Sequence, residues 1–294
     1  MRDLRSLRHF EAVYRFTSFS AAAEELGLTH SALTKSIKLL EDSWGVQLFH
    51  RTTRTVAPTE AANRLYPKAV ELLAFAEDVQ RSVKSGAHEM RVVCGPGILD
   101  NLIHPAILRY AERFPETRLV VSTMPPHLAA AELVQRRAHL LLYHRASIAG
   151  MPHVERMRVS DIADEPYWML FRNGHVEAQA SDDLASSAEL DWALAGFDHL
   201  FERSLSEDVR RMLREKGVPR YRVMSQAACV ELARNSNIVT AAPESAARGI
   251  LSQGGLEGRP HPGGFRFSVS AAVLHDAAHE PTVAHFIECL RAND

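Results

Sequence analysis

Leu4, Leu7, Phe10 and Val13 recur at every third position, the spacing of one buried helical stripe, and predict a first helix. Ser18 or Ser20 caps a second, short helix over AAAEEL, and Gly27 follows where a left-handed terminating residue belongs. Thr29 offers an N-cap for a third helix, residues 30 to about 43, with Leu33, Ile37 and Leu40 facing inward and Trp44 and Gly45 closing it. Helix, tight turn, helix is the predicted result. His30, Ser31, Thr34, Lys35 and Lys38 then share the outer face of the third helix, with Thr29 at its start. Short hydrogen-bonding groups beside cations are the mixture that reading a major groove requires. After Leu48 and Phe49, HRTTRTVAPT is a polar, β-rich stretch that predicts a hairpin or wing, with Arg51 and Arg54 placed to reach phosphates or a minor groove. An ordinary solvated surface explains any one of these residues, but not the whole arrangement.

The next periodicity is longer. Ala62, Leu65, Ala69, Leu72, Ala76, Val79 and Val83 are spaced alternately by three and four, a heptad seam. Over residues 59–84 such a helix runs roughly 39 Å at 1.5 Å per residue. A stripe this narrow needs a partner, so Leu65, Ala69, Leu72, Ala76, Val79 and Val83 are expected at a dimer seam; packing on the chain's own body is the alternative. Pro67 lies inside the helix and removes one backbone hydrogen bond. Ser85, Gly86 and Ala87 end the pattern and mark a boundary.

From Met90 the pattern changes to alternating strand and helix: MRVVCG, NLIHPAILRYAERFP, RLVVS, AAAELVQRR and HLLLYH. That alternation predicts a parallel-sheet α/β domain, in which ligands bind beyond the carboxyl ends of strands. Residues 95–100, residues 123–128 and the segment after Leu142 are the loops so placed. A second set begins near Pro166 with YWMLF and includes RVMSQAACVELARNSNIVTAAP, and SVSAAVL is placed to return to the first sheet. Two subdomains with a cleft between them is the expected architecture.

Composition and charge change this picture little. The 294 residues are 46% hydrophobic and 24% charged, an ordinary globular balance with room for more than one core. The net charge of −2 hides a small asymmetry, with 12 Lys and Arg against 10 Asp and Glu in residues 1–84 and 22 against 26 in the remainder. There is no apolar run of membrane-spanning length, and the first residues lack a signal peptide's apolar centre, so a cytoplasmic protein without membrane contact is expected. The three cysteines Cys94, Cys229 and Cys289 have no metal-ligand spacing. His275 and His279 stand four apart, but HDAAHEP leaves a strand and meets a proline, so a solvated loop is expected and no metal. Hydrolase elbows, P-loops and dinucleotide fingerprints are absent, so neither an enzyme nor a cofactor is expected.

LRHFEAV in the first helix, SFSAAAEELGLTHSALTKSIKLLE through the helix-turn-helix and GVQLFHRTTRTVAPTEA through the wing resemble the LysR-type transcriptional regulators in order and spacing. Four positions depart from the usual pattern: that family usually has Gln at His30, Pro at Ser31, Ser at Thr34 and Arg at Lys35. Lysine lacks the bidentate fork of arginine, and histidine cannot imitate glutamine's paired contact with adenine, so the operator need not be the usual one. The strand and helix spacing of the body resembles, more weakly, the effector domain of the same family, which is similar to periplasmic binding proteins.

The resemblance implies an α/β chain with a winged helix-turn-helix over residues 1–58, a linker (dimerisation) helix and hinge over 59–88 and an effector-binding domain over 89–294. Within the last, one subdomain takes about 89–163 and 268–294 and the other about 164–267. It implies a regulator that binds an imperfect palindrome in promoter DNA as a homodimer or homotetramer, answers a small-molecule effector (an organic anion or an aromatic) and has RNA polymerase as a further partner. The expected effector contacts are backbone N–H groups at Gly97 and Ile98, Pro126 and His127 in the second loop, a cation from His144 or Arg145, and the hydroxyls of Ser204 and Ser225. His139 stands where the family commonly has Asp, and Asn235 and Asn237 where it has Gly-x-Gly, a loop that Asn preserves if it adopts a left-handed conformation. The alternatives are a redox sensor working through Cys94, and an α/β ligand-binding protein whose N-terminal helices serve only assembly.

Overall fold

The computed structural model describes residues 2–51, 56–85 and 89–291. They form two compact units, residues 1–86 with 135–137, and residues 87–134 with 138–294.

In the N-terminal unit, α1 (Arg2–Phe16), α2 (Phe19–Glu25) and α3 (His30–Trp44) precede the short strands β1 (Phe49–Arg51) and β2 (Val56–Pro58) and the helix α4 (Glu60–Ser85). The caps settle the open choice at α2, where Ser18 rather than Ser20 accepts the amide of Ala21. Thr29 accepts the amide of Ala32 at 3.2 Å, and Gly45, at φ 64°, ends α3 in the left-handed region that glycine enters without steric cost. Phe10, Val13, Leu33, Ile37, Leu48 and Phe49 are fully buried in one core. Two polar stitches orient its parts. His9 Nδ1 lies 2.7 Å from Ser36 Oγ, joining α1 to α3, and Glu41 Oε1 accepts the amides of Leu48 at 2.8 Å and Phe49 at 3.2 Å. Thr59 donates its hydroxyl to the Gln47 carbonyl and accepts the amide of Ala62, which fixes where α4 leaves the strands.

The second unit begins with β3 (Glu89–Cys94), and the chain turns helical immediately through α5 (Pro96–Ile98), a π-helical turn (Leu99–Ile103) and α6 (His104–Arg113). Then follow β4 (Arg118–Thr123), α7 (Pro126–Val134), β5 (Leu140–His144), α8 (Arg145–Ala149) and β6 (Met157–Arg172). Next come α9 (Val176–Ala180), α10 (Leu184–Ser187), β7 (Ala193–Ala195), α11 (His199–Ser204), α12 (Glu207–Lys216), β8 (Tyr221–Val223) and α13 (Gln226–Asn235). The chain closes with β9 (Thr240–Pro243), α14 (Glu244–Ser252), β10 (Leu256–Pro260), β11 (Arg266–Leu274) and α15 (Pro281–Arg291).

The sheet is mixed rather than wholly parallel. β4, β3 and β5 run parallel, but β11 returns antiparallel beside β5, and β6 lies antiparallel beside β11. The return of SVSAAVL to the first sheet is therefore observed, in the opposite direction to its neighbour. The first part of β6 pairs with β11 through Pro166, and its last residues pair with β9 and β10, so one strand serves both subdomains. Leu140 and Leu142 face a core with Ile103, Tyr110 and Phe286, while Leu141 and Tyr143 face a core with α7. That two-sided burial explains the unbroken apolar run in HLLLYH.

One further expectation is corrected, and one departure from the family pattern is explained. Asn235 and Asn237 are not among the residues of positive φ; they act through their side chains, Asn235 donating to the Glu231 carbonyl and Asn237 accepting from Arg172. His139 Nδ1 accepts the amide of Arg91 at 2.9 Å, an acceptor role that a carboxylate also fills.

Replacing Glu41 with Ala is expected to leave the amides of Leu48 and Phe49 without this acceptor and to cost about 1–3 kcal/mol, whereas Glu41→Gln, which keeps one carbonyl oxygen, should lose less. Urea unfolding followed by circular dichroism checks this, and equal losses in both variants would show that the oxygen does not matter.

Candidate nucleic-acid interface and ligand cavity

The apolar stripe of α3 turns Leu33, Ile37 and Leu40 inward and so leaves His30, Ser31, Lys35 and Lys38 exposed on the opposite side. Neither lysine has an ion-pair partner among the described residues, which leaves both charges free for an outside anion. His30 rests its ring 6.0 Å from that of Phe19. Thr29 is engaged as the cap and lies 3.2 Å from the Ser31 hydroxyl. Thr34 departs from expectation, since its hydroxyl is buried, has no partner among the described residues and is not presented to solvent. Arg51 ends β1, but its side chain lies outside the described residues, as does the whole of Arg54.

The heptad seam is divided. Ala69 is buried and Leu65 half-buried in the N-terminal unit's own core, with Tyr66 stacked on Tyr14 of α1 at 4.0 Å. Leu72 and Val79 are exposed, Ala76 is half-buried, and the side chain of Val83 lies outside the described residues. Phe75, absent from the seam as read in sequence, is 46% exposed beside Leu72. Packing on the chain's own core, the alternative reading, thus holds for the first half of the seam. In its second half Leu72 and Val79 are exposed, while Arg136 lies over the Phe75 ring at 4.6 Å.

In the second unit a cavity of about 120 Å³ lies between the ends of the two sheets. Its wall is mostly apolar, with Tyr167, Trp192, Leu194, Phe197, Phe201, Phe265 and Phe267. Of the expected effector residues, Gly97 and His144 reach this wall. The others do not. Ile98 is buried in the sheet core, and its amide, expected to be free, donates to the Gly95 carbonyl because the loop is already helical. Pro126 is buried at the start of α7, and His127 is exposed with its ring 5.4 Å from that of His199. Arg145 pairs with Asp161 at 3.1 Å, Ser204 donates to the Phe201 carbonyl, and Ser225 caps α13 by accepting the amide of Ala228.

Several polar groups of the wall were not anticipated. Asp198 Oδ1 accepts the amides of Leu200 and Phe201, and its Oδ2 accepts the Ser147 hydroxyl at 2.9 Å. Gln226 donates from Nε2 to the Ala241 carbonyl, and Asn101 donates to that of Gly97. Asp100 accepts the amide of Gln226 and so ties the first helical turn to α13. Gly196, at φ 72°, approaches Pro96 so closely that a Cβ would meet its ring at 3.0 Å, which reserves the position for glycine. Sequence carried little signal for these residues, because Asn101, Trp192, Asp198, Gln226 and His261 stand far apart in the chain.

Both histidines of the wall are neutral near pH 7. Burial pushes His261 down to about 4; its Nδ1 accepts the amide of Gly263, which leaves the proton on Nε2, and its ring lies 5.1 Å from Trp192 and 4.9 Å from Phe265. His144 is also lowered, first by burial, with Nδ1 accepting the amide of Ala146 and Nε2 donating to the Arg266 carbonyl. Cys94, Cys229 and Cys289 are free and buried, and burial beside Asp100 pushes the Cys94 thiol up to about 12. A thiol held protonated is a poor nucleophile, which weighs against the redox alternative.

Two family models match successive parts of the chain. "Bacterial regulatory helix-turn-helix protein, lysR family" covers residues 4–63, and "LysR substrate binding domain" covers residues 84–294. The regulator IlvR of Caulobacter vibrioides is 34% identical over 146 residues, 48% of this chain and 49% of that protein, so the chain spans about half the length of this curated relative. Among solved structures, ArgP of Mycobacterium tuberculosis matches with a TM-score of 0.61 at 19% identity, over 98% of this chain and 95% of that one. CbnR in complex with its target DNA matches with a TM-score of 0.54 at 18% identity, over 98% of each chain. At these identities the structural matches speak to fold.

Because the folded His261 ring titrates at about 4 and an ordinary one at 6.5, the unfolded chain takes up that proton first on acidification. Stability is therefore expected to fall as pH drops from about 6.5 to about 4, with His144 and His9 acting in the same direction and the carboxylates held low, such as Asp164, acting only at more acid pH. Urea midpoints across this window should fall less steeply for His261→Gln. An unchanged slope would remove the assignment.

Proposed function

Because the chain belongs to the LysR family of bacterial regulatory helix-turn-helix proteins, we propose that it is a ligand-responsive transcriptional regulator that binds an imperfect palindrome in promoter DNA. The observation that carries this reading is the exposed face of α3, where Lys35 and Lys38 stand beside His30 and Ser31 without a carboxylate partner among the described residues. An assembly module has no use for unpaired cations beside short hydrogen-bonding groups. Duplex DNA does, since each neutralised phosphate releases condensed counterions, and side chains on the same helix reach base edges. In this reading residues 1–58 bind DNA, 59–88 link and pair protomers, and 89–294 take the effector.

Pairing of protomers uses the second half of α4. Leu72, Phe75 and Val79 supply the apolar surface, because Leu65 and Ala69 are engaged within the protomer. Two recognition helices then face two half-sites, in a dimer or a pair of dimers, with RNA polymerase as a further partner. The cavity lined by Gly97, His144 and Gln226 holds the effector. Whatever free energy distinguishes the liganded from the empty state there is the most that binding can transmit to DNA.

Fluorescence anisotropy against the duplex upstream of the chain's own gene and a scrambled duplex, across a range of salt, tests the reading. Lys35→Ala and Lys38→Ala are each expected to weaken binding and to reduce the slope of log affinity against log salt by about 1. Binding by neither duplex at low salt would favour the assembly alternative, and unchanged slopes would move the interface off α3.

A further inference from the structure

Resting on the assignment of the cavity as the effector site, we infer that its ligand is an uncharged molecule built on a single aromatic or similarly sized apolar ring, and that the site rejects organic anions. Size sets the first limit, since a cavity of about 150 Å³ accepts one benzene ring and this one measures about 120 Å³. The charge of the wall sets the second. None of its described residues is Lys or Arg, and its two histidines are neutral at pH 7. Of the cations of neighbouring segments, Arg145 pairs with Asp161 at 3.1 Å, Arg266 with Asp164 at 2.8 Å and Arg222, over the Phe197 ring, with Glu202 at 3.8 Å, while Arg203, between Phe201 and Leu205 on α11, is exposed and does not line the wall. The one charged side chain on the wall is the carboxylate of Asp198, which repels an anion and has both oxygens engaged.

A buried carboxylate without a cation or a set of donors is among the most unfavourable groups an apolar site can receive. A ligand hydroxyl or amide meets better partners. His261 Nε2–H is a donor, and Gln226 Oε1 is an acceptor on a side chain that is 5% exposed; neither has a partner among the described residues. Trp192, Phe197, Phe201 and Tyr167 supply aromatic faces for the ring, which prefers offset or edge contacts with them. The site therefore selects for shape and for one neutral polar group rather than for charge.

The full-length protein is titrated at pH 7.5 with benzyl alcohol, benzoate and benzylamine, three ligands of one ring size that differ in charge, by calorimetry and by tryptophan fluorescence, to which Trp192 of the wall contributes. The same series is run on Gly97→Leu, whose Cβ has ordinary room at 3.8 Å from Gln226 Oε1 and whose remaining atoms occupy the cavity, and on Ala195→Phe as a second filling variant. Benzyl alcohol is expected to bind the wild type at least about tenfold more tightly than either ion, and both filled variants, folded by circular dichroism, should lose it. Tighter binding of benzoate or benzylamine that the filled variants abolish overturns the charge inference and leaves the cavity as the site. Absence of binding by all three at millimolar concentration, or binding that both filled variants retain, overturns the cavity assignment and the inference together.

Discussion

Each peptide group of the sixteen-residue strand β6 must find a partner, and no single sheet here is long enough to supply them all. The strand meets this by changing neighbours. Up to Pro166 it pairs with β11, and beyond that point it lies between two strands, with β9 along residues 167–170 on one side and β10 along residues 168–172 on the other. Proline stands where the change occurs, and having no N–H it leaves no donor to satisfy at that point. Tyr167, the next residue, donates its amide to the Phe265 carbonyl and accepts that of His261. Tyr167, His261, Phe265 and Phe267 all line the cavity, so the wall is a consequence of how one strand is shared.

The two candidate sites handle polar groups in opposite ways. Around the cavity nearly every polar side chain is engaged internally: Asp198 caps α11 and holds Ser147, Asn101 binds the Gly97 carbonyl, and His144 uses both ring nitrogens. What remains is a wall without Lys or Arg whose one carboxylate, Asp198, is engaged, with a small number of unused atoms. On α3 Lys35 and Lys38 have no ion-pair partner among the described residues, while the Thr29 hydroxyl works to start the helix and that of Ser36 meets His9 of α1. Uncommitted charge at a surface and satisfied polarity around a void are what a polyanion and a neutral small molecule respectively require.

The N-terminal helices were legible in the chain because their signals are local. A stripe at helical spacing, a Thr cap and a terminating Gly fall within a few residues of one another, and the structure has α3 over His30–Trp44 with Leu33, Ile37 and Leu40 buried as that stripe implies. The seam of α4 shows the limit of the same reasoning. Periodicity identifies an apolar stripe without naming its partner, and α1 takes up the part near Leu65 and Ala69 through the stacked Tyr14 and Tyr66.

By itself the sequence determined the helix-turn-helix, the alternating strand and helix of the body and the face of α3 that stays outside, because each follows from periods of two or 3.6 residues and from caps a turn away. The tertiary structure alone decided the composition of the cavity. Trp192, Asp198, Gln226 and His261 meet there only because β6 bridges two sheets. It also decided that His144 and His261 are neutral and that Thr34 turns its hydroxyl inward. Ionisation and orientation depend on what surrounds a group in space, and distant segments of the chain supply those surroundings.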